Sequence, residues 1–370
     1  MPPFSRREVL LGGLALGLAG CTPTAAPTAA PAAPPLAPSG AAPTAPPVAA
    51  PVVPPSTSGA TAVPGAVSQA PTPVRSRAAE TFSVMTFNVL TPNLTGTDFR
   101  APVIDSEVRL SSRVPVMARW IRDANPDIIG LQENEADPPR RLPLTLLAPL
   151  LPEYEVIRPR LNVPLLVRRK AFAVTSSGAL DITQGRLSRH VAWYRVRHRR
   201  TGQELLVANT HLDPLQKAHR ASQRAVEATE VAALLTKVNP GGALPVVLLG
   251  DLNVRADETR SRFVAPLTTL AGAGLKDAAD IAALDVSRVP GAASLNSFGA
   301  AVDGRWTYRA IRTDGYRYDY VLVSRGIPVR TWQVVTGPGV RTIHGRPFFA
   351  DGPVPSDHCP VQAELEFPST

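Results

Sequence analysis

Residues 22–74 are built almost wholly of Pro, Ala, Thr, Ser, Gly and Val, and they contain no Asp, Glu, Lys or Arg. The stretch has no apolar periodicity, and its few large side chains cannot offset the entropy of ordering a backbone. No core can form there, so any fold the chain adopts belongs to the residues that follow. Pro-rich segments lie near polyproline II and rise about 3.1 Å per residue, so the stretch is expected to be a stalk reaching on the order of 100 Å.

The N-terminus indicates what the stalk would tether. Ser5-Arg6-Arg7 precedes an uncharged apolar run over residues 9–20, which is too short to span a bilayer as a helix. A charged head, a short apolar middle and a small-residue exit describe an export signal. The arginine pair resembles a twin-arginine signal, and Leu18-Ala19-Gly20-Cys21 resembles the lipobox of bacterial lipoproteins. The resemblance implies cleavage before Cys21 and acylation of that residue, with two or more chains anchoring stably where one does not. The chain is thus expected to divide into a signal over 1–21, a disordered linker over 22–78 and one folded domain over 79–370. It would be exported and held by lipidated Cys21 on the outer face of the bacterial cytoplasmic membrane or at the cell surface. A plain secretory signal with an incidental cysteine is the alternative. With Cys21 lipidated, Cys359 is the one cysteine left, so stability must come from a core and not from a disulfide.

Past residue 80 the pattern changes to short apolar runs. Strands are predicted over 81–90 and 127–133. Between them a helix runs from residue 106, with Leu110, Val114, Met117 and Ile121 on one face and Asn125-Pro126 as its stop. One hairpin is predicted over 165–174, and another joins 191–198 to 204–212. An Ala-rich helix over 218–238 ends at Asn239-Pro240-Gly241-Gly242, and strands follow over 246–251, 318–324 and 331–335. The last strand, 361–367, alternates Val361, Ala363, Leu365 and Phe367 against Gln362, Glu364 and Glu366, as a half-buried strand does. Hairpins mixed with strand-helix-strand units imply an α/β fold of two mixed sheets packed together with helices outside, and exclude a parallel doubly wound sheet. There is no internal repeat.

The polar residues that end these apolar runs carry the functional signal. In VVLLGDLN, alternation puts Asp251 and Asn253 on one side of the strand and Leu252 on the other. Alone, that is equally a turn capped by an Asx side chain. Asn88 closes MTFN, Glu133 closes IIGLQE, His211 follows VANT, Asp319 sits in YRYDYVLVS, and Ser356-Asp357-His358 precedes the last strand. Each has a structural reading as a turn cap, a surface residue or a hydrogen-bonded histidine. Together they are what a hard divalent cation and a phosphate need: oxygen ligands, imidazoles that bond or move protons, and a carboxylate to orient an imidazole.

These motifs, in this order and spread over residues 80–368, resemble those of the endonuclease/exonuclease/phosphatase superfamily, which includes DNase I, repair nucleases, inositol polyphosphate 5-phosphatases and neutral sphingomyelinases. The resemblance implies a four-layer α/β sandwich with its site at one end of two central mixed β-sheets. It makes Glu133 the principal ligand of Mg²⁺ (or Mn²⁺), helped by Asn88 and Asp357, with Asp251 and Asn253 positioning the attacking water and the phosphoryl oxygens. His358 would contact the scissile phosphate with Asp319 behind it, and His211 would hold a phosphate oxygen from the other side. The general base stays open between Asp251 and His358. Val89-Leu90 replaces the second acid of the repair enzymes, and His211 stands where they have a tyrosine. The inositol phosphatase signature is replaced by Tyr318-Asp319-Tyr320-Val321. A carboxylate to orient His211 is not evident; the segment RLNVPLLVRR offers Asn162 at best.

The expected function is a divalent-metal-dependent phosphoester hydrolase, a nuclease-like phosphodiesterase working outside the cytoplasm. The alternatives are a phosphatase or phospholipase acting on inositol phosphates or sphingomyelin-like lipids, and a surface binding module that has lost catalysis, against which the intact residue set argues. A net charge of +9 favours anionic partners, nucleic acid among them, and a monomer is expected. Two basic runs, Arg195, Arg197, His198, Arg199 and Arg200 on one hairpin and Arg168-Arg169-Lys170 on the other, read first as solvated faces; if they instead track a nucleic-acid backbone, binding should fall steeply with salt. Aromatic residues for stacking single strands are sparse; Trp306 and Tyr308 lie near the expected site, with core packing the expected role of Trp306.

Overall fold

The run Val246–Asp251 is apolar on both sides because both sides are buried. Val247 and Leu249 enter one core while Val246 and Leu248 enter another, as a strand covered on both faces requires. Residues 81–88 do the same: Phe82 and Val84 point one way, Met85 and Phe87 the other. The computed structural model describes residues 80–91, 109–135, 142–182, 189–214, 218–296, 300–302, 305–307, 309–349 and 353–368. The expected signal, Cys21 and the linker lie outside them, as do Tyr308 and the side chain of Trp306.

The chain runs β1 (Thr81–Asn88), α1 (Leu110–Ala124), β2 (Ile128–Gln132), α2 (Pro143–Leu147), β3 (Tyr154–Ile157), β4 (Leu165–Arg168), β5 (Phe172–Asp181), β6 (His190–His198), β7 (Glu204–His211), α3 (Ala218–Val238) and β8 (Val246–Asp251). It continues through α4 (Ser261–Gly272), β9 (Leu275–Asp277), α5 (Ala278–Ile281), β10 (Leu284–Asp285), the pair β11 (Ala300–Val302) and β12 (Arg305–Thr307), and β13 (Asp319–Ser324). It closes with β14 (Val329–Val334), the hairpin β15 (Val340–Ile343) and β16 (Arg346–Phe349), and β17 (Val361–Glu366).

Two mixed sheets result, ordered β10-β14-β17-β1-β2-β4-β3 and β5-β6-β7-β8-β13-β9. The pairs β1/β2, β7/β8 and β10/β14 are parallel. One apolar core lies between the sheets, a second joins β1 and β2 to α1 and α2, and a third joins β7, β8 and β13 to α3 and α4. The four layers follow from those three cores. Among the described residues no helix is long and apolar enough to cross a membrane.

The predicted helix stop is where it was expected: Asn125 takes the left-handed conformation at φ 50° and returns its N–H to Ile121 O, a helix end that Asn tolerates. The stretch 165–174 is not a hairpin. β4 pairs with β2 and β3, β5 pairs with β6, and the turn between them carries the chain from one sheet to the other. The helix α4 was not predicted, because Pro266 lies inside it and breaks the sequence pattern.

Topology brings the functional strand ends together. The parallel neighbours β1, β2, β7 and β8 finish at one end of the sandwich. Antiparallel β13 begins there, with Asp319 opposite Asp251, and β17 begins beside the end of β1, with Val361 opposite Thr86.

Candidate active site

The floor of this end is a polar bridge between the two sheets. Asn209 of β7 donates through Nδ2 to the carbonyls of Leu131 at 2.8 Å and Pro164 at 3.0 Å. It accepts from Gln132 Nε2 at 2.7 Å, and Gln132 also reaches Thr86 at 3.0 Å. All three polar side chains are fully buried and partnered, so the network holds the sheets in one register at little desolvation cost. Gly130 is required here, since a Cβ would lie 2.8 Å from Asn209 Oδ1. Just above the bridge the backbone turns sharply. Glu133 has φ 57° and Asn253 φ 52°, a left-handed conformation that Asn accepts more readily than Glu. Both residues are thereby aimed off their strands.

The side chains meet over this floor. Asn88 Nδ2 bridges Glu133 Oε1 at 3.0 Å and Asp251 Oδ2 at 3.1 Å, while its oxygen accepts the Leu90 N–H. Glu133 Oε2 accepts the Thr91 N–H at 3.0 Å. Asp251 Oδ1 accepts the Asn253 N–H at 2.9 Å, and Asn253 Nδ2 donates to Leu212 O at 3.0 Å. Asp319 Oδ2 lies 2.7 Å from His358 Nδ1, and His358 Nε2 then faces Asp251 Oδ2 at 3.7 Å. On the other side His211 Nε2 is 3.5 Å from the same oxygen. Asp357, next to His358, faces Glu133 closely enough to perturb it.

The electrostatics follow from this crowding in a buried space. Burial disfavours the charge of His358, but Asp319, Asp357 and Asp251 overcome that and hold it well above the usual histidine range. Burial, helped by Arg189 and by His358, pushes His211 well below it. The two imidazoles are thus driven in opposite directions, His358 toward its charged form and His211 toward its neutral one. Asp251 is pushed up to about 7 by burial and by Asp319, and Glu133 is raised by burial and by Asp357.

The sequence matches the Endonuclease/Exonuclease/phosphatase family over residues 85–358, a span that begins just before Asn88 and ends on His358. The chain belongs to the endonuclease/exonuclease/phosphatase family. Members of this family hydrolyse phosphoesters and generally use divalent metals. Solved structures share the fold: a family protein of Bacteroides thetaiotaomicron is 21% identical, with 79% of this chain and 100% of that one aligned at a TM-score of 0.60. A mannosyl-6-phosphatase of the same organism is 21% identical, with 77% and 100% aligned at 0.59. TDP2 of D. rerio, complexed with single-strand DNA product, is 15% identical, with 78% and 99% aligned at 0.53. Comparison with curated protein sequences gives no match.

The donor set suits the metal that the family uses. Glu133 and Asp357 offer the hard oxygens that Mg²⁺ takes, and the mutual repulsion of the two acids is what a cation would relieve; Asn88, expected as a ligand, instead turns its Nδ2 to Glu133 and its oxygen to the Leu90 N–H, and so holds the ligand in place. Asp251, Asp319 and His358 also bring one donor atom each within 4.8 Å of one another. There, however, His358 Nδ1 is already committed to Asp319, which makes that pair an oriented imidazole first and a ligand set second.

All eight residues named from the sequence reach this one end. Asn162 does not serve His211: it donates toward Glu135 at 3.5 Å, and His211 Nδ1 instead meets Arg189 Nη1 at 3.3 Å. The basic hairpin lies away from the site. β7 runs from Glu204 to His211, so the turn at 199–203 is at the opposite end, where Arg199 caps Arg169 O and Phe172 O and Arg200 pairs with Glu80. Arg168 is likewise spent on Asp127 and Tyr154.

Several positioning residues had no role assigned from the sequence. Arg113, fully buried on α1, donates to Val89 O, Pro355 O and Leu90 O at 2.8–3.1 Å, clamping the segments that carry Asn88 and Asp357. Ser356 Oγ donates to Asn88 O at 2.7 Å. Ser294 ties Tyr318 N and Asp319 N to its hydroxyl and Cys359 N to its carbonyl. Cys359 itself is 1% exposed and packs in the core between the sheets. An arginine beside the apolar face of a helix was the one signal available for Arg113.

Proposed function

We propose that the protein is a divalent-metal-dependent phosphodiesterase, nuclease-like in its chemistry, working outside the cytoplasm from a lipid-anchored stalk at Cys21. The observation that supports it best is the facing arrangement of His358, held by Asp319, and Asp251, itself held by Asn88 and Asn253. A cationic His358 is a donor at neutral pH, to a phosphoryl or leaving oxygen, whereas Asp251 is an acceptor poised near neutrality and takes the proton of the attacking water. Asn253 orients that water or an adjacent phosphoryl oxygen. A bound Mg²⁺ or Mn²⁺, held by Glu133 and Asp357 with Asn88 fixing the Glu133 carboxylate, would neutralise charge on the phosphate.

The diester reading draws on a surface two residues past Asn253, where the guanidinium carbons of Arg255 and Arg312 stand 3.7 Å and 4.6 Å from the Tyr316 ring centroid. Each guanidinium is paired with an acid, Asp257 or Asp314, so the surface offers stacking planes and not free charge to an extended substrate. A phosphatase, as the fold shared with a mannosyl-6-phosphatase allows, is the second reading.

Hydrolysis of bis-p-nitrophenyl phosphate with Mg²⁺ or Mn²⁺, abolished by EDTA, is the expected result. His358→Ala and Asp251→Ala should each lose about 10² to 10⁴ in rate with unchanged circular dichroism. Faster turnover of sugar monophosphates than of DNA or the model diester would move the assignment to a phosphatase. No turnover of any of them would leave a binding module. Cys21→Ser should release the protein from membranes, and a variant that stays bound would remove the lipid anchor.

A further inference from the structure

His211 and His358 face the same carboxylate but are held from behind by opposite charges. His358 has Asp319 on its Nδ1 at 2.7 Å, whereas His211 has a guanidinium nitrogen of Arg189 on its Nδ1 at 3.3 Å. Arg189 is itself 6% exposed and stands one residue before β6. Its place beside His211 is set by the ladder, in which Val191 pairs with Thr210 and the Thr210 hydroxyl donates to His190 O at 3.0 Å. Glu227, fully buried on α3, lies within the field of Arg189.

A guanidinium has five N–H donors, no acceptor, and does not lose its proton in proteins. The ring nitrogen that meets it is therefore the bare one, and the ring proton sits on Nε2. That Nε2 is buried without a hydrogen-bond partner, its nearest acceptor being Asp251 Oδ2 at 3.5 Å. It is a free donor pointing to where an oxygen of the substrate would lie against Asp251.

We propose that Arg189 is a positioning residue that fixes the tautomer of His211 with Nδ1 bare and Nε2–H donating to a phosphoryl oxygen. A carboxylate in the place of Arg189 would do the reverse: it would hold a proton on Nδ1, leave Nε2 as an acceptor and favour a second imidazolium. The identity of the oxygen rests on the hydrolase reading above; the tautomer does not.

The test is long-range ¹H–¹⁵N NMR of the full chain with labelled histidine, His211 being assigned by its absence in His211→Asn. A bare Nδ1 and a protonated Nε2 are expected in the metal-free protein and with Mg²⁺ added. A proton on Nδ1, or on both nitrogens, overturns the proposal. Arg189→Met should mix the tautomers and lower kcat on bis-p-nitrophenyl phosphate by about 10² with KM nearly unchanged, the cost of losing one oriented donor. Arg189→Lys, which keeps a donor, should restore both. Wild-type tautomer and kcat in Arg189→Met also overturn it, and if that variant does not fold, the wild-type spectrum and Arg189→Lys decide. A wild-type protein that hydrolyses no phosphoester yet shows the Nε2–H form would overturn the hydrolase reading and the phosphoryl role, while leaving the Arg189–His211 pairing standing.

Discussion

Glu227 shows how much ionic chemistry is kept beneath the site without entering it. It accepts the Asp213 N–H at 2.9 Å and anchors the segment that follows His211. Burial pushes its carboxyl up to about 7, against the Asp213 amide and Gln223, which pull it down. An unfolded glutamate titrates near ~4.3, so between these values the folded chain binds a proton that the unfolded chain has released. Stability from this group is therefore full below the unfolded value and declines as pH rises toward 7. Glu227→Gln should flatten that decline in urea midpoints measured across the range; identical slopes in both proteins would contradict it. The site acids and histidines were legible in the sequence because each one stands at or beside the end of an apolar run. Arg189, Gln132 and Asn209 were not. Whether a polar side chain in or beside a strand turns inward to a partner depends on the opposite sheet, and that partner is far away in the chain.

At the scale of elements, α1 does more than cover β1 and β2. Its Arg113 holds two loops through three carbonyls. Exchange for methionine fills similar space but strands those acceptors, at about 1–3 kcal/mol for each one left unsatisfied. Arg113→Met should therefore destabilise by about 3 kcal/mol or more and weaken Mg²⁺ binding by calorimetry. Unchanged stability would show that water replaces the guanidinium. The strands of the two sheet centres were readable because burial on both faces leaves a continuous apolar run. The partner of each strand was less so. The LLVRRKAFAV segment has the composition of a hairpin, yet β5 extends to Asp181 and finds its long neighbour in β6, which offers more ladder than β4 could.

Across the whole molecule, the sheets are joined at the functional end by Asn209 and the apolar contacts around it. Asn209→Leu would remove three buried hydrogen bonds, at about 1 kcal/mol each, and should cost about 3 kcal/mol, read as a lower unfolding midpoint. The fold class was foreseeable from hairpins alternating with helical crossovers, and the end of the sandwich that carries the chemistry from the resemblance of the motifs, whereas strand order was not. Cys359 adds a consequence. Its thiol is sealed beside His358, and burial makes it harder still to ionise, so a maleimide reagent reaches it only when that end of the sandwich parts. The rate of its modification is thus a built-in clock for breathing at the catalytic end. A 3 kcal/mol loss at Asn209 should speed that clock by about 10².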